Sequence, residues 1–163
     1  MDIRRIKEED LNEVLTLCLG NKEYYDYLHE QPTIENLKAD LSAVPPGKTV
    51  DDKYFMGFYE ENHLVAILDF ILRYPSDDTA YIGWLIVDQQ QQGKGIASQI
   101  VEMICARSQQ AGFQKIELGC IEGYAHAQNF WKKHGFLPNG RSKQMKDITI
   151  LVLSKTLESE NLL

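Results

Sequence analysis

Apolar side chains recur along this chain with two different spacings. At helical spacing, Leu11, Val14, Leu15 and Cys18 share one face of a helix predicted from Glu8 to Leu19. Lys22 to Glu30, rich in Tyr, reads as a second helix. Thr33 follows Pro32 as the cap of a third, which carries Ile34, Leu37 and Leu41 and ends at Pro45-Pro46-Gly47. At strand spacing, Asp2 to Ile6 reads as a first strand. Lys53 to Tyr59 and Leu64 to Leu72 form a hairpin around Glu60-Glu61-Asn62-His63. After a turn at Tyr74-Pro75-Ser76-Asp77-Asp78, the apolar run Ala80 to Val87 is a central strand. The next helix is predicted from Gly93 to about Gln110, with Ala97, Ile100, Val101, Ile104 and Cys105 on its buried side, and Ala111-Gly112-Phe113 closes it. Lys115 to Ile121 is a fifth strand with Ile116, Leu118 and Cys120 facing inward. A helix follows from about Tyr124 to His134, ended by Gly135. Leu137-Pro138-Asn139-Gly140 reads as a turn before strands at Arg141 to Met145 and Ile148 to Lys155.

Strands, helix, strand, helix and strands in that order predict a mixed α/β sheet rather than an all-parallel one. The length of 163 residues fits one domain, taken as 1–157 with a short C-terminal tail at 158–163. A net charge of −7 argues against a broad nucleic-acid surface, which needs clustered Lys and Arg, and suits a cationic amine substrate. No apolar run approaches the roughly 20 residues that span a bilayer. The start Met1-Asp2-Ile3-Arg4-Arg5 lacks the apolar centre of a signal peptide, so no membrane partner and a cytoplasmic location are expected. Cys18, Cys105 and Cys120 are odd in number and far apart, which indicates neither a disulfide framework nor a metal site.

The segment Gln90 to Ser98 carries the candidate chemistry. Gly93 and Gly95 can take backbone angles closed to other residues and let an anion approach the main chain. The first N–H groups of the following helix have no carbonyl partner within it and carry the positive end of its dipole. Strand, glycine turn and helix therefore suit a pyrophosphate, although glycines here can also serve chain reversal alone. A nucleoside-triphosphate loop is excluded, because the position five before Gly93 is Asp88 and Gly95 follows Lys94. A dinucleotide fingerprint is excluded because Ser98 stands where the third glycine belongs.

The pattern that fits is Q-x-x-G-x-G, here Gln90, Gly93 and Gly95, preceded by Trp84-Leu85-Ile86-Val87-Asp88. This resembles the acetyl-coenzyme A loop of the GNAT (Gcn5-related) N-acetyltransferases. Ala127-Gln128-Asn129-Phe130-Trp131-Lys132-Lys133-His134-Gly135-Phe136 resembles that family's second signature, A-x-x-F-[YW]-x-K-x-G-F. The resemblance runs from about Tyr54 to the last strand. It implies a mostly antiparallel sheet flanked by helices, with splayed fourth and fifth strands holding acetyl-coenzyme A between them and no metal.

By that resemblance, backbone groups of Ile86 and Val87 would bind the pantetheine, and amides of Gln92, Gly93, Lys94, Gly95, Ile96, Ala97 and Ser98 would hold the pyrophosphate. The N–H of Val87 would be the oxyanion donor. Many relatives carry a Tyr where this chain has Trp131, whose indole is too weak an acid to protonate a thiolate, so Trp131 is assigned to the cofactor wall or the core. Tyr124 replaces an Asn common in the family and is the candidate general acid, with packing at the helix start as the alternative. Tyr81 occupies the place of a base Glu in some relatives, and Asp69, Glu122 and His126 are further base candidates, each with a surface role as the alternative. Cys120 could suggest an acyl-enzyme, but no His is paired with it in sequence. The expected activity is acetyl transfer from acetyl-coenzyme A to a primary amine of a small molecule or peptide, in a ternary complex. The alternatives are a non-catalytic acyl-coenzyme A sensor and an interaction protein, and an exposed sheet edge would permit a homodimer.

Overall fold

The computed structural model describes residues 1–158; of the predicted tail at 158–163, all but Glu158 lies outside them. The fold is mixed α/β, with seven strands hydrogen-bonded in the order β1-β2-β3-β4-β5-β7-β6. The chain divides into two compact units, Met1–Ile71 with Gly83–Ala97, and Leu72–Ile82 with the residues from Ser98 on.

In the first unit, β1 (Asp2–Arg5), β2 (Lys53–Glu60) and β3 (His63–Leu72) pair antiparallel. Glu61 and Asn62 both adopt positive φ between β2 and β3, the backbone that a tight hairpin matching strand twist requires. Three helices precede the hairpin: α1 (Leu11–Leu19), α2 (Lys22–Leu28) and α3 (Ile34–Asp40). The Thr33 hydroxyl accepts from the Asn36 N–H at 3.1 Å and caps α3 as its position after Pro32 predicts. Glu8 to Asp10 forms a 3-10 turn, so the α-helix proper begins at Leu11. The buried face of α1 is Leu11, Val14, Leu17 and Cys18, while Leu15 is only partly buried. That face packs with Leu37, Phe55, Ile67 and Ile86. Burying such side chains contributes on the order of 1.5–3 kcal/mol each, which is what fixes the helices on this sheet.

The second unit holds the first half of β4 (Thr79–Val87), β5 (Lys115–Ile121), β6 (Leu137–Met145) and β7 (Ile148–Thr156). β4 and β5 run parallel from Thr79 opposite Lys115 to Ile82 opposite Leu118. β5 and β6 both pair antiparallel with β7. The helices are α4 (Ile96–Gln110), most of which belongs to this unit, and α5 (Ala125–Lys133).

Further boundaries differ from the sequence reading. Helix α4 starts at Ile96 rather than Gly93, because Gly93 and Gly95 hold φ of 81° and 83°, values that no right-handed helix contains. Leu137 to Gly140 is not a turn between elements but the beginning of β6. Its register slips between Pro138, opposite Leu153, and Ser142, opposite Leu151, and Asn139, Gly140 and Arg141 form the bulge. Gly140 supplies the positive φ of 89° that the bulge needs. On α4, Ile100, Val101 and Ile104 are buried as expected, whereas Ala97 and Cys105 are half-buried.

Candidate functional site

The end of β4 and the turn after it belong to the first unit up to Ala97. Ile86 and Val87 are buried at the strand end. The Asp88 N–H donates to the Val65 carbonyl at 2.8 Å, which ties the chain to β3 as the strand stops. The Asp88 side chain then accepts from the Gln90 N–H at 3.2 Å and caps a 3-10 turn over Gln89–Gln91 that the sequence reading did not anticipate. Gln91 and Gln92 N–H groups close that turn onto the carbonyls of Asp88 and Gln89.

From Gln92 to Gly95 every residue is exposed. No described atom outside the immediate chain lies within 4 Å of a Cβ built on Gly93 or Gly95. The backbone is therefore open on that side, and left-handed glycines on both sides of Lys94 make the kind of turn whose N–H groups can face an anion. Lys94 lies over the turn with Nζ 3.2 Å from Gln91 Oε1, a positive charge beside the open amides. Ile96 is buried and anchors the start of α4. This open cradle at a helix start fits a pyrophosphate.

Gln92 reaches back from the turn. Its Nε2 donates to Asn21 Oδ1 at 2.8 Å and to the Val87 carbonyl at 3.1 Å, and Asn21 Nδ2 donates to the same carbonyl at 3.1 Å. Nothing in the local sequence distinguishes Asn21 from an ordinary helix-boundary residue. Its role depends on a partner 66 residues away.

Also in the first unit, the Lys53 side chain is 3% exposed, donates to the Ala43 carbonyl at 2.7 Å and pairs with Asp69 at 3.0 Å. Burial raises the Asp69 carboxyl above its ordinary value, and Lys53 opposes that rise. Burial likewise raises Asp40, again against Lys53. Asp69 as base is thus an ion-paired carboxylate, not a free one.

In the second unit, Ser98 Oγ lies 3.0 Å from His134 Nε2, which links the first turn of α4 to the C-terminal end of α5. Burial lowers the His134 imidazole below its ordinary value. Aromatic contacts run on from it: Phe130 lies 4.8 Å from His134, Trp131 is 5.0 Å from Phe130, and Phe136 is 5.2 Å from Trp131. Trp131 is 8% exposed and packs as a core side chain. Tyr124 occupies the N-terminal boundary of α5, is buried, and meets the His126 ring edge-on at 6.3 Å.

The remaining base candidates fare unequally. Glu122 and His126 are exposed. Tyr81 is half-buried against Tyr74, and burial raises its phenol, which makes it a poorer source of a proton-accepting phenolate. Cys120 is buried, and burial pushes its thiol up to about 11, so a thiolate nucleophile is disfavoured.

The chain is similar in fold to an acetyltransferase from Thermus thermophilus, with a TM-score of 0.76, 20% identity and 96% of each chain covered. It is similar to the ribosomal-protein-S18-alanine N-acetyltransferase from Escherichia coli, with a TM-score of 0.70 at 12% identity over 99% of this chain and 98% of that one. It is also similar to the PaiA N-acetyltransferase from Thermoplasma acidophilum, solved in complex with coenzyme A, with a TM-score of 0.67 at 14% identity over 95% of this chain and 98% of that one. The comparison with curated protein sequences returns no match. Residues 14–136 match the model of the acetyltransferase (GNAT) family, and the chain belongs to that family.

Proposed function

We propose that the chain is an N-acetyltransferase that moves an acetyl group from acetyl-coenzyme A to a primary amine of a small molecule or peptide. The observation that carries this reading is the open turn at Gly93 and Gly95 before α4, in a chain of the GNAT family. Amides of Gly93 to Ser98 hold the pyrophosphate, the expected Gln92 N–H being already given to the Gln89 carbonyl, and Lys94 adds a positive charge beside it. Backbone groups of Ile86 and Val87 bind the pantetheine. The Val87 carbonyl already accepts two side-chain donors, so Val87 serves the thioester through its N–H. That N–H stabilises the oxyanion formed when the amine nitrogen attacks the carbonyl carbon.

As the C–S bond breaks, the leaving sulfur takes a proton, and Tyr124 is the group assigned to give it. The attacking nitrogen loses its extra proton to water. Direct attack needs no covalent enzyme intermediate, in keeping with the raised thiol of Cys120. Holding both substrates in one complex supplies much of the acceleration. The acidic chain, with net charge −7, suits a cationic acceptor.

Binding is tested by thermal or chemical unfolding with and without acetyl-coenzyme A. Ligand at about 100 times its dissociation constant adds roughly 2.7 kcal/mol of stability when only the folded state binds. An unchanged transition at saturating ligand contradicts the reading. For Tyr124→Phe, kcat falls about 100-fold, the low end for loss of a general acid, while the KM for acetyl-coenzyme A stays where it was. An unchanged kcat removes Tyr124 from the mechanism. A non-catalytic acyl-coenzyme A sensor is the second reading, favoured by the indole of Trp131 in place of a phenol and its burial between Phe130 and Phe136. It predicts binding without thiol release.

A further inference from the structure

We propose that Asn21 is a positioning residue that, together with Gln92, sets the geometry of the coenzyme turn from the junction of α1 and α2; this rests on the coenzyme reading above. Asn21 lies between the two helices. Its N–H donates to the Cys18 carbonyl at 2.9 Å, and its side chain is buried. The Asn21 Nδ2 group donates to the Leu17 carbonyl at 3.0 Å and the Val87 carbonyl at 3.1 Å. Both partners only accept, so the amide nitrogen must face them and Oδ1 must face Gln92. Gln92 Nε2 donates to that Oδ1 at 2.8 Å and to the Val87 carbonyl at 3.1 Å.

The network is closed. Each carboxamide nitrogen uses both of its N–H groups, and both lone pairs of the Val87 carbonyl are filled. The other end of the same peptide is held as well, since the Asp88 N–H donates to the Val65 carbonyl at 2.8 Å. The peptide between Val87 and Asp88 is thus clamped at both ends, just where the strand gives way to the turn. Gln92 immediately precedes Gly93, which holds a positive φ with no described atom beyond its chain neighbours within 4 Å of where a Cβ would stand. A buried carboxamide on the helical side therefore does for this turn what packing does for an ordinary loop. The two residues act through one shared carbonyl, so their effects are not independent.

The test is a double-mutant cycle read by the dissociation constant of coenzyme A. Gln92→Met keeps the length of an exposed side chain, leaves the backbone amide in place and removes only the side-chain hydrogen bonds. Expected is a loss of affinity of about tenfold for Gln92→Met, equivalent to ~1.4 kcal/mol. A similar loss is expected for Asn21→Ala, and the double variant should lose about tenfold rather than a hundredfold. Leu37→Ala, in the core of the same unit, lowers thermal stability and leaves affinity unchanged, which separates positioning from general loosening. If Asn21→Ala fails to fold, Gln92→Met against Leu37→Ala still decides. Wild-type affinity in Gln92→Met, or losses that multiply, overturns this inference alone. No binding by the unaltered chain overturns the coenzyme reading beneath it as well.

Discussion

Replacing Gly95 by glutamate abolishes coenzyme A binding and leaves the protein folded. Gly95 is exposed, holds φ of 83°, and has no described atom beyond its chain neighbours within 4 Å of a built Cβ, so the first carbon of the new side chain meets no wall. The cost to the fold is the left-handed backbone alone, about 1–2 kcal/mol for a residue with a Cβ. The cost to binding is larger, because a carboxylate is placed among amides whose role is to face a pyrophosphate. An affinity loss of more than about 100-fold is expected, since like-charge juxtaposition costs several kcal/mol. Gly95→Ala carries the same backbone strain without the charge and loses far less. Titration with coenzyme A, beside circular dichroism of both variants, separates the two effects. Retained affinity in Gly95→Glu would show that the turn does not hold the pyrophosphate.

Lys53→Met destabilises the protein by about 3 kcal/mol at neutral pH, as expected when one partner of a buried pair is removed. Asp69 is left 19% exposed, with Oδ1 already buried and unpartnered and Oδ2 deprived of its ammonium. The pH dependence has a definite sign. Burial has raised the folded-state value of Asp69 above its ordinary 3.8, and removing Lys53 raises it further. A carboxyl of this kind stabilises the fold below its unfolded value, and that contribution is lost as pH rises through the folded one. Asp40, raised by burial and opposed by the same lysine, shifts in the same direction. The deficit of Lys53→Met therefore shrinks as the pH falls towards 3.8, and Asp69→Leu in the same chain recovers much of it. Urea unfolding at neutral and acid pH checks this, and a deficit independent of pH would show that the pair is not what Lys53 contributes.

Much of this molecule is legible in its sequence, and the parts that are not share a cause. The two spacings of apolar residues locate most of the strands and helices, because burial of one face is what both elements are selected for, whereas β6, exposed at all nine positions, carries no such pattern. Gly93 and Gly95 announce the turn, and their positive φ explains why α4 begins at Ile96 and not before. Pro138, Asn139 and Gly140 read as a turn by composition, yet those residues serve a bulge equally well, and only pairing with β7 decides between them. Long-range polar contacts are invisible to local pattern. Asn21 with Val87, Lys53 with Asp69, and Ser98 with His134 each join residues 16 to 66 positions apart through side chains whose identities have many ordinary uses. The family resemblance marked both signatures, and residues 14–136 match the GNAT model. It did not reveal how Trp131 is used, and the structure packs that indole against Phe136.

The most direct test of the central claim is the release of free coenzyme A thiol from acetyl-coenzyme A by the purified chain across a panel of primary amines. Expected is amine-dependent release that is lost in Gly95→Glu, with the acetyl group recovered on the amine nitrogen. Tight acetyl-coenzyme A binding with no thiol released by any amine would contradict it and leave the chain a sensor of the acyl carrier.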